Sequence, residues 1–201
     1  MKLDMVIAGV GGQGILSTGS ILAVAAIEHG LNVKTVETRG MAQRGGRVYM
    51  HVRISDIPVH SALIPMGHAH CLLAMHPEEG GTHLLYLRGD GCVIVNTELP
   101  PDMMHHGDLA AALAHYNGMA RTEVPAMTHA RASGSPRSAN LVMLGAASRT
   151  TSIPSACFEI ALQQRFGAKG DAVLASCYKA FHTGRELGAP QAKRLNGGDL
   201  T

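Results

Sequence analysis

Short apolar runs alternate with glycine breaks and helical patterns along the first part of the chain. Residues 3–8 are apolar except for Asp4 and are followed at once by glycines, which is typical of a buried strand. Apolar and small residues recur at helical spacing over residues 14–29, and Gly30 supplies the stop. Residues 32–37 read as a second strand. The pattern therefore predicts a strand–helix–strand unit with two parallel strands.

The later pattern extends the same alternation and then becomes helical. Apolar and polar residues alternate over residues 48–54, which predicts a strand with one wetter face. The other predicted elements are strands at 71–75, 92–95 and 121–124, and helices at 77–87, 109–115, 140–147, 155–166 and 171–187. Together they predict an α/β, Rossmann-like three-layer fold with an open, mostly parallel sheet and a helical C-terminal third.

The length of the chain favours one core. A chain of 201 residues is too short for two well-filled domains, so we expect a single domain over residues 1–187. Residues 188–201 contain proline and glycine and few apolar side chains, which predicts a flexible or partner-clamped tail. Charged residues are only 16% of the chain, and 11 residues are methionine. These proportions indicate that part of the surface is buried against a partner.

Charge and composition exclude several functional classes. The formal net charge is only +2, so nucleic acid is not an expected partner. The apolar runs are far shorter than the roughly 20 residues of a membrane span. Asp4 lies where a signal peptide carries basic charge, so we expect a cytoplasmic protein. The four cysteines lack Cys-x-x-Cys spacing, which argues against a metal or iron–sulfur site built from this chain alone.

A glycine-rich loop is the main candidate for ligand binding. Residues 9–14 read GVGGQG, which fits the pattern G-x-G-x-x-G between a strand and a helix. Such a loop lets the backbone approach a phosphate closely at a helix N-terminus. Glu37 lies where dinucleotide enzymes place the acid that holds ribose hydroxyls. The alternative is that the glycines bind no ligand and only allow the helix to pack closely on the sheet.

Arginines follow the second strand at positions 39, 44 and 47. An arginine-rich loop beside a helix start favours a phosphate-bearing ligand without specifying it. The same arginines are equally compatible with carboxylates of a neighbouring subunit. The sequence therefore leaves both roles open.

Four segments resemble one family of enzymes. They read GGQG at residues 11–14, GMAQRGG at 40–46, VIVNT at 93–97 and NLVMLGA at 140–146. They resemble the gamma subunit or gamma domain of the 2-oxoacid:ferredoxin oxidoreductases, and most of all the stand-alone beta subunit of the indolepyruvate ferredoxin oxidoreductase type. The resemblance extends from residue 3 to about residue 187.

The resemblance implies a subunit of an enzyme, inactive when isolated and without catalytic residues of its own. It implies a larger partner subunit that carries thiamine diphosphate and iron–sulfur clusters. The complex would decarboxylate a 2-oxoacid, either indolepyruvate or another aryl 2-oxoacid, pass electrons to ferredoxin and form an acyl-coenzyme A. It also implies that this chain helps to bind coenzyme A. The residues implied at that site, or at the subunit seam beside it, are Gly11, Gly12, Gln13, Gly14, Met41, Gln43 and Arg44.

Two other functions stay open at this point. The chain could be a free-standing NAD-dependent oxidoreductase that uses Glu37 on the adenine ribose. It could also be a purely structural subunit whose glycine loop holds no ligand. Asn140, which could cap its helix, is expected to be structural or to face the seam.

Overall fold

The structure is a computed structural model, and it describes residues 1–39, 46–99 and 109–188. The described residues form six strands: β1 (Lys2–Val10), β2 (Asn32–Arg39), β3 (Arg47–Ser55), β4 (Ala69–Ala74), β5 (Leu87–Asn96) and β6 (Ala120–Val124). They also form seven α-helices: α1 (Ile15–Glu28), α2 (Pro77–Thr82), α3 (Leu109–Ala114), α4 (Ala126–Ala132), α5 (Ala139–Ser148), α6 (Ser155–Phe166) and α7 (Asp171–Leu187). The tail, residues 189–201, lies outside these ranges.

The six strands form one mixed sheet in the order β2-β3-β1-β4-β5-β6. β1, β4, β5 and β6 are parallel neighbours, whereas β3 is antiparallel to both β1 and β2. β1 and β2 thus run in the same direction, as expected, but they are not neighbours. β3 lies between them: it pairs antiparallel with β2 over eight residues and also pairs antiparallel with β1. The fold class is the predicted α/β one, with five strands in one direction and one reversed.

Helices and loops cover the two faces of the sheet unequally. Met5 and Ile7 of β1 point into a large core shared with α1 and α4–α7. Val6 and Ala8 point to the opposite face, into a smaller core closed by Ile64 and Tyr116. This alternation is what β geometry requires of a strand buried on both faces. The arrangement gives the three layers expected from the sequence.

Two close approaches depend on glycine. A Cβ on Gly19 of α1 would lie 2.2 Å from the Met50 sulfur of β3, so α1 sits directly on the sheet. A Cβ on Gly184 of α7 would lie 2.0 Å from the backbone oxygen of Val142 in α5. The contact with the Val142 backbone requires glycine, because that backbone cannot move aside, whereas the end of the Met50 side chain is flexible. The small residues of α1 thus serve close packing, as their pattern predicts.

The elements differ from the sequence prediction chiefly after β4: β5 begins at Leu87 rather than at residue 92, and two helices differ. The helix beginning at Pro77 ends at Thr82 and is followed by a separate turn of 3₁₀ helix over Leu84–Tyr86. Gly80 and Gly81 explain the early end, because glycine is a poor helix former. α4 has no counterpart in the prediction. No helix in the described part of the chain combines the length and apolarity that crossing a bilayer requires.

Candidate functional site

The glycine loop joins the carboxyl end of β1 to the start of α1, where the sequence placed it. Gly12 and Gly14 have φ angles of 99° and 79°, in the left-handed region that favours glycine. Gly14 is the N-cap residue of α1. The loop is therefore built for glycine at these two positions, whether or not a ligand binds there.

The side chain of Gln13 folds back and ties the loop to the sheet. Its Oε1 accepts a hydrogen bond of 2.9 Å from the backbone N–H of Val10. Its Nε2 donates a 3.0 Å bond to the backbone oxygen of Met75, just beyond β4. A Cβ on Gly9 would lie only 2.5 Å from Oε1, so this conformation also requires glycine there. Gln13 thus joins the carboxyl ends of two adjacent strands.

Asn96 continues this tie to the next strand and helix. Its Nδ2 donates to the oxygen of Met75 at 3.3 Å and to the oxygen of Glu98. Its Oδ1 accepts from the N–H groups of Glu98 and Ala126 at 3.1 and 3.3 Å. The carboxyl ends of β1, β4 and β5 are therefore cross-linked by two amide side chains. Sequence reasoning missed this role, although Asn96 lies in one of the family-like segments.

Glu98 fixes the helix that begins beside this edge. Its two carboxylate oxygens accept from the backbone N–H of Thr128 at 2.7 Å and from the Thr128 hydroxyl at 2.6 Å. Burial alone would raise the pKa of the Glu98 carboxyl, but these hydrogen bonds and that of Met127 leave it lowered. The carboxylate therefore caps the first turn of α4. This contact accounts for a helix that lacks a capping side chain of its own.

A second helix begins against the glycine loop. The Asn140 side chain, at the start of α5, lies over Gly14: a Cβ on that glycine would be 2.8 Å from the Asn140 Nδ2. The N-termini of α1 and α5 therefore meet at one point. Each N-terminus carries a partial positive charge from its helix dipole. Their convergence favours an anion at this edge of the sheet.

Backbone N–H groups of the loop divide into two sets. Those of Gly11 and Gln13 donate to backbone oxygens of the chain, at 2.9 and 3.2 Å. Among the described residues, none accepts a hydrogen bond from the N–H of Gly12 or Gly14. Gly12 is exposed. The first intrahelical bond of α1 runs from Thr18 N–H to Gly14 O, so the N–H groups of residues 15–17 precede it.

One arginine near the loop already has an acidic partner within the chain. The Arg47 Nε lies 3.2 Å from Oε1 of Glu79 in α2, although 71% of the arginine side chain is exposed. Arg47 therefore has an acid within the chain, which weakens both external roles considered for it. Met41, Gln43 and Arg44 lie outside the described residues, and so does the side chain of Arg39. Their assignment to the ligand or the subunit seam stays a prediction.

The strand order separates Glu37 from the glycine loop. Glu37 is paired with Met50 of β3, and Met50 is paired with Ile7 of β1. Two interstrand spacings, about 9–10 Å, therefore separate Glu37 from β1. In a dinucleotide fold the acidic residue lies on the strand next to the one that leads into the glycine loop. The insertion of β3 removes this geometry, and with it the main support for NAD binding.

Comparisons with known proteins agree on one family. Residues 4–187 match the family described as pyruvate ferredoxin/flavodoxin oxidoreductase. The "Indolepyruvate oxidoreductase subunit IorB" of Archaeoglobus fulgidus is 40% identical over 153 residues, which are 72% of this chain and 75% of the relative.

Two solved structures have the same fold. One is a 2-oxoglutarate:ferredoxin oxidoreductase from Magnetococcus marinus with 2-oxoglutarate, coenzyme A and succinyl-CoA bound, with a TM-score of 0.77 and 27% identity. The match covers 93% of this chain but only 31% of that chain, so this chain spans about a third of that relative. The other is a keto/oxoacid ferredoxin oxidoreductase gamma subunit from Geobacter sulfurreducens, with a TM-score of 0.68 and 26% identity. Here the match covers 92% of this chain and 98% of the other.

Proposed function

The chain belongs to the pyruvate ferredoxin/flavodoxin oxidoreductase family, and we propose that it is the non-thiamine subunit of a 2-oxoacid:ferredoxin oxidoreductase. Within that complex it helps to bind coenzyme A. Indolepyruvate, or another aryl 2-oxoacid, is the proposed substrate, because a relative named for indolepyruvate is 40% identical. The named relatives are themselves subunits, which supports a role inside an assembly.

One observation carries the coenzyme A assignment. The N–H groups of Gly12, which is exposed, and of Gly14, which is half-buried, lie where two helix N-termini meet. Oriented backbone amides at a helix start suit a diphosphate, and coenzyme A contains one. A structural relative in this family has coenzyme A bound. The fit is one of amide donors to phosphate oxygens, so it needs no cationic side chain from this chain.

The loop residues have different tasks in this proposal. Gly12 and Gly14 donate their N–H groups to the diphosphate. Gly11 shapes the turn, since its own N–H is bonded to Gly46. Gln13 holds the loop in place through its side chain and is therefore a positioning residue. Met41, Gln43 and Arg44 are proposed to line the ligand or the seam with the partner.

The reaction requires groups that this chain does not provide. Thiamine diphosphate and iron–sulfur clusters in the larger partner subunit would supply decarboxylation and electron transfer to ferredoxin. This chain contributes binding and orientation: it fixes the diphosphate, so that the thiol of the same molecule has fewer orientations to sample. Pre-ordering of this kind lowers the entropic part of a barrier without an acid or base.

The test measures kinetics of the complex reconstituted from this chain and its partner subunit. Gly12→Ala places a Cβ at a φ of 99° and disturbs the amide beside the diphosphate. Loss of one charge-assisted hydrogen bond costs about 1.5–3 kcal/mol, so the KM for coenzyme A should rise about 10-fold or more. The KM for the 2-oxoacid should stay within about twofold, because thiamine chemistry lies elsewhere.

Gly170→Ala is the matched control. Gly170 has a φ of 96°, and a Cβ there would meet nothing within 4 Å. Gly170→Ala likewise places a Cβ at a positive φ, but at the start of α7 and outside the loop. Equal coenzyme A constants for Gly12→Ala and this control would favour the purely structural subunit. Micromolar NADH binding that Glu37→Gln abolishes would instead revive the free-standing dehydrogenase.

A further inference from the structure

Two cysteines lie side by side in the middle of the sheet. Cys71 of β4 and Cys92 of β5 are direct partners in the parallel register. Paired residues on adjacent strands carry their side chains on the same face, and here both thiols face the large core. Cys71 is fully buried, whereas Cys92 is partly exposed. The Cys92 Sγ donates to the backbone oxygen of His70 at 3.7 Å.

The spacing of the strands is close to what a disulfide needs. Neighbouring strands lie about 4.7–4.9 Å apart, and disulfide-bonded cysteines have Cα atoms about 4.4–6.8 Å apart. The remaining requirement is a Cβ separation near 3.8 Å, slightly less than in an ordinary cross-strand pair. Closing the bond therefore requires a small local movement of one strand.

The register of β5 provides that freedom at the required place. Ala69 pairs with Leu87, and the next pair is Cys71 with Cys92. One residue separates the pairs on β4, but four separate them on β5, so three extra residues interrupt the ladder. Two of the four are glycines, at 89 and 91, and a Cβ on Gly89 would meet nothing within 4 Å. Cys92 is therefore the first paired residue after a glycine-containing irregularity, and it is only partly buried.

The environment distinguishes the two thiols. The neighbouring Cys71 thiol lowers the pKa of the Cys92 thiol, against the opposing effect of burial. The same pairing, together with burial, raises the pKa of Cys71. Cys92, which is partly exposed, therefore ionises more readily than Cys71, and the buried Cys71 thiol stays protonated beside it. A reactive cysteine with an adjacent resolving cysteine has this arrangement.

We propose that Cys71 and Cys92 are a reversible oxidation site, at which a hydroperoxide converts the two thiols to an intrachain disulfide. The Cys92 thiolate attacks the outer oxygen of the hydroperoxide: an S–O bond forms, the O–O bond breaks, and the leaving hydroxide or alkoxide takes up a proton. The Cys71 sulfur then attacks the Cys92 sulfur, so that the S–S bond forms and the S–O bond breaks. The hydroxyl group displaced from the Cys92 sulfur takes up the Cys71 proton and leaves as water. The two sulfurs together supply the two electrons that reduce the peroxide, and a dithiol reverses the change.

The test uses the full chain, reduced and then treated with a few equivalents of hydrogen peroxide. Thiols counted in denaturant should fall from four to two. The intact mass should fall by about 2 Da, the two thiol hydrogens, and dithiothreitol should restore both values. A non-reducing peptide map should join Cys71 to Cys92. The map needs no variant, so it stays decisive even if a substituted chain folds poorly.

Two variants separate this pair from the other thiols. Cys92→Ser should retain all three remaining thiols at the same peroxide dose. Cys177→Ser removes a buried thiol of α7 and should still form the bond, so its count should fall from three to one. A map that joins any other pair would overturn the proposal, as would Cys92 accumulating as sulfinic acid without a cross-link. None of these measurements depends on coenzyme A, so the oxidation site and the proposed function can fail separately.

Discussion

The side chain of Gln13 offers the sharpest test of how the loop is held. Gln13→Leu keeps the approximate size of the side chain but removes both of its hydrogen bonds. Val10, whose N–H donates to the Gln13 oxygen, is 2% exposed, so this donor would be left without its partner in a buried place. The oxygen of Met75 would keep its bond from Asn96. Losing the hydrogen bond to Val10 should therefore cost more stability than losing the one to Met75.

The expected loss of stability in Gln13→Leu is the sum of these two unequal costs. Leaving the buried Val10 N–H unsatisfied costs about 1–3 kcal/mol. Loss of the second bond, at an oxygen that keeps another donor, costs about 0.5–1.5 kcal/mol. We therefore expect Gln13→Leu to lower the free energy of unfolding by about 2–4 kcal/mol. In the reconstituted complex the KM for coenzyme A should also rise, because the loop amides are no longer held against β4.

Urea denaturation of the full chain, followed by circular dichroism, measures the stability effect. Gln13→Glu adds a pH test, because the acid can accept from Val10 in either form but can donate to the Met75 oxygen only when protonated. Its folded-state pKa should therefore exceed its unfolded-state value. The stability of this variant should be highest at acidic pH and fall as the pH rises through the folded-state pKa. A loss below about 0.5 kcal/mol for Gln13→Leu would refute the bridging role.

Three further predictions concern the scaffold. Asp4→Asn should cost about 2–4 kcal/mol in urea denaturation, because Arg53 holds this buried carboxylate with two hydrogen bonds. Gly184→Ala should cost about 3 kcal/mol and lower the Tm, because its Cβ would meet the Val142 oxygen at 2.0 Å. Burial lowers the pKa of His51 below 6.5, so the unfolded state binds the proton first on acidification. Stability should therefore fall as the pH drops below about 6.5, and less steeply in His51→Gln.

The first two of these predictions each have a matched control variant. Asp56→Asn removes an acid whose partner is the terminal amine at the surface, and it should change the stability far less than Asp4→Asn does. Gly89→Ala adds a Cβ in open space, so its effect should be below about 0.5 kcal/mol. Equal losses for either control and its buried counterpart would contradict the packing argument. An unchanged pH slope in His51→Gln would show that His51 does not supply the proton linkage.

Most elements could be predicted from periodicity because local patterns determine them. The helix bounds of Ser155–Phe166 and Asp171–Leu187 agree with the sequence prediction. The position of β3 could not be predicted in this way. Hydrophobic alternation shows that residues 48–54 form a strand, but not that this strand returns between β1 and β2. That choice depends on long-range pairing, and it decides where Glu37 lies.

The candidate site was predictable only in part. The spacing of glycines located the turn and the helix that follows it. The direction of the Gln13 side chain did not follow, because nothing local indicates that it reaches Met75, 62 residues away. The same holds for Asn96 and Ala126. Polar residues that join separate strands become visible only when the strand order is known.

A structure of the assembled complex with coenzyme A bound tests the central claim most directly. We expect diphosphate oxygens within about 3 Å of the backbone nitrogens of Gly12 and Gly14, a normal hydrogen-bond distance. We also expect the Gln13 side chain still to bridge Val10 and Met75 in the complex. Coenzyme A bound away from this loop, or the loop covered by the partner with no phosphate on it, would contradict the account.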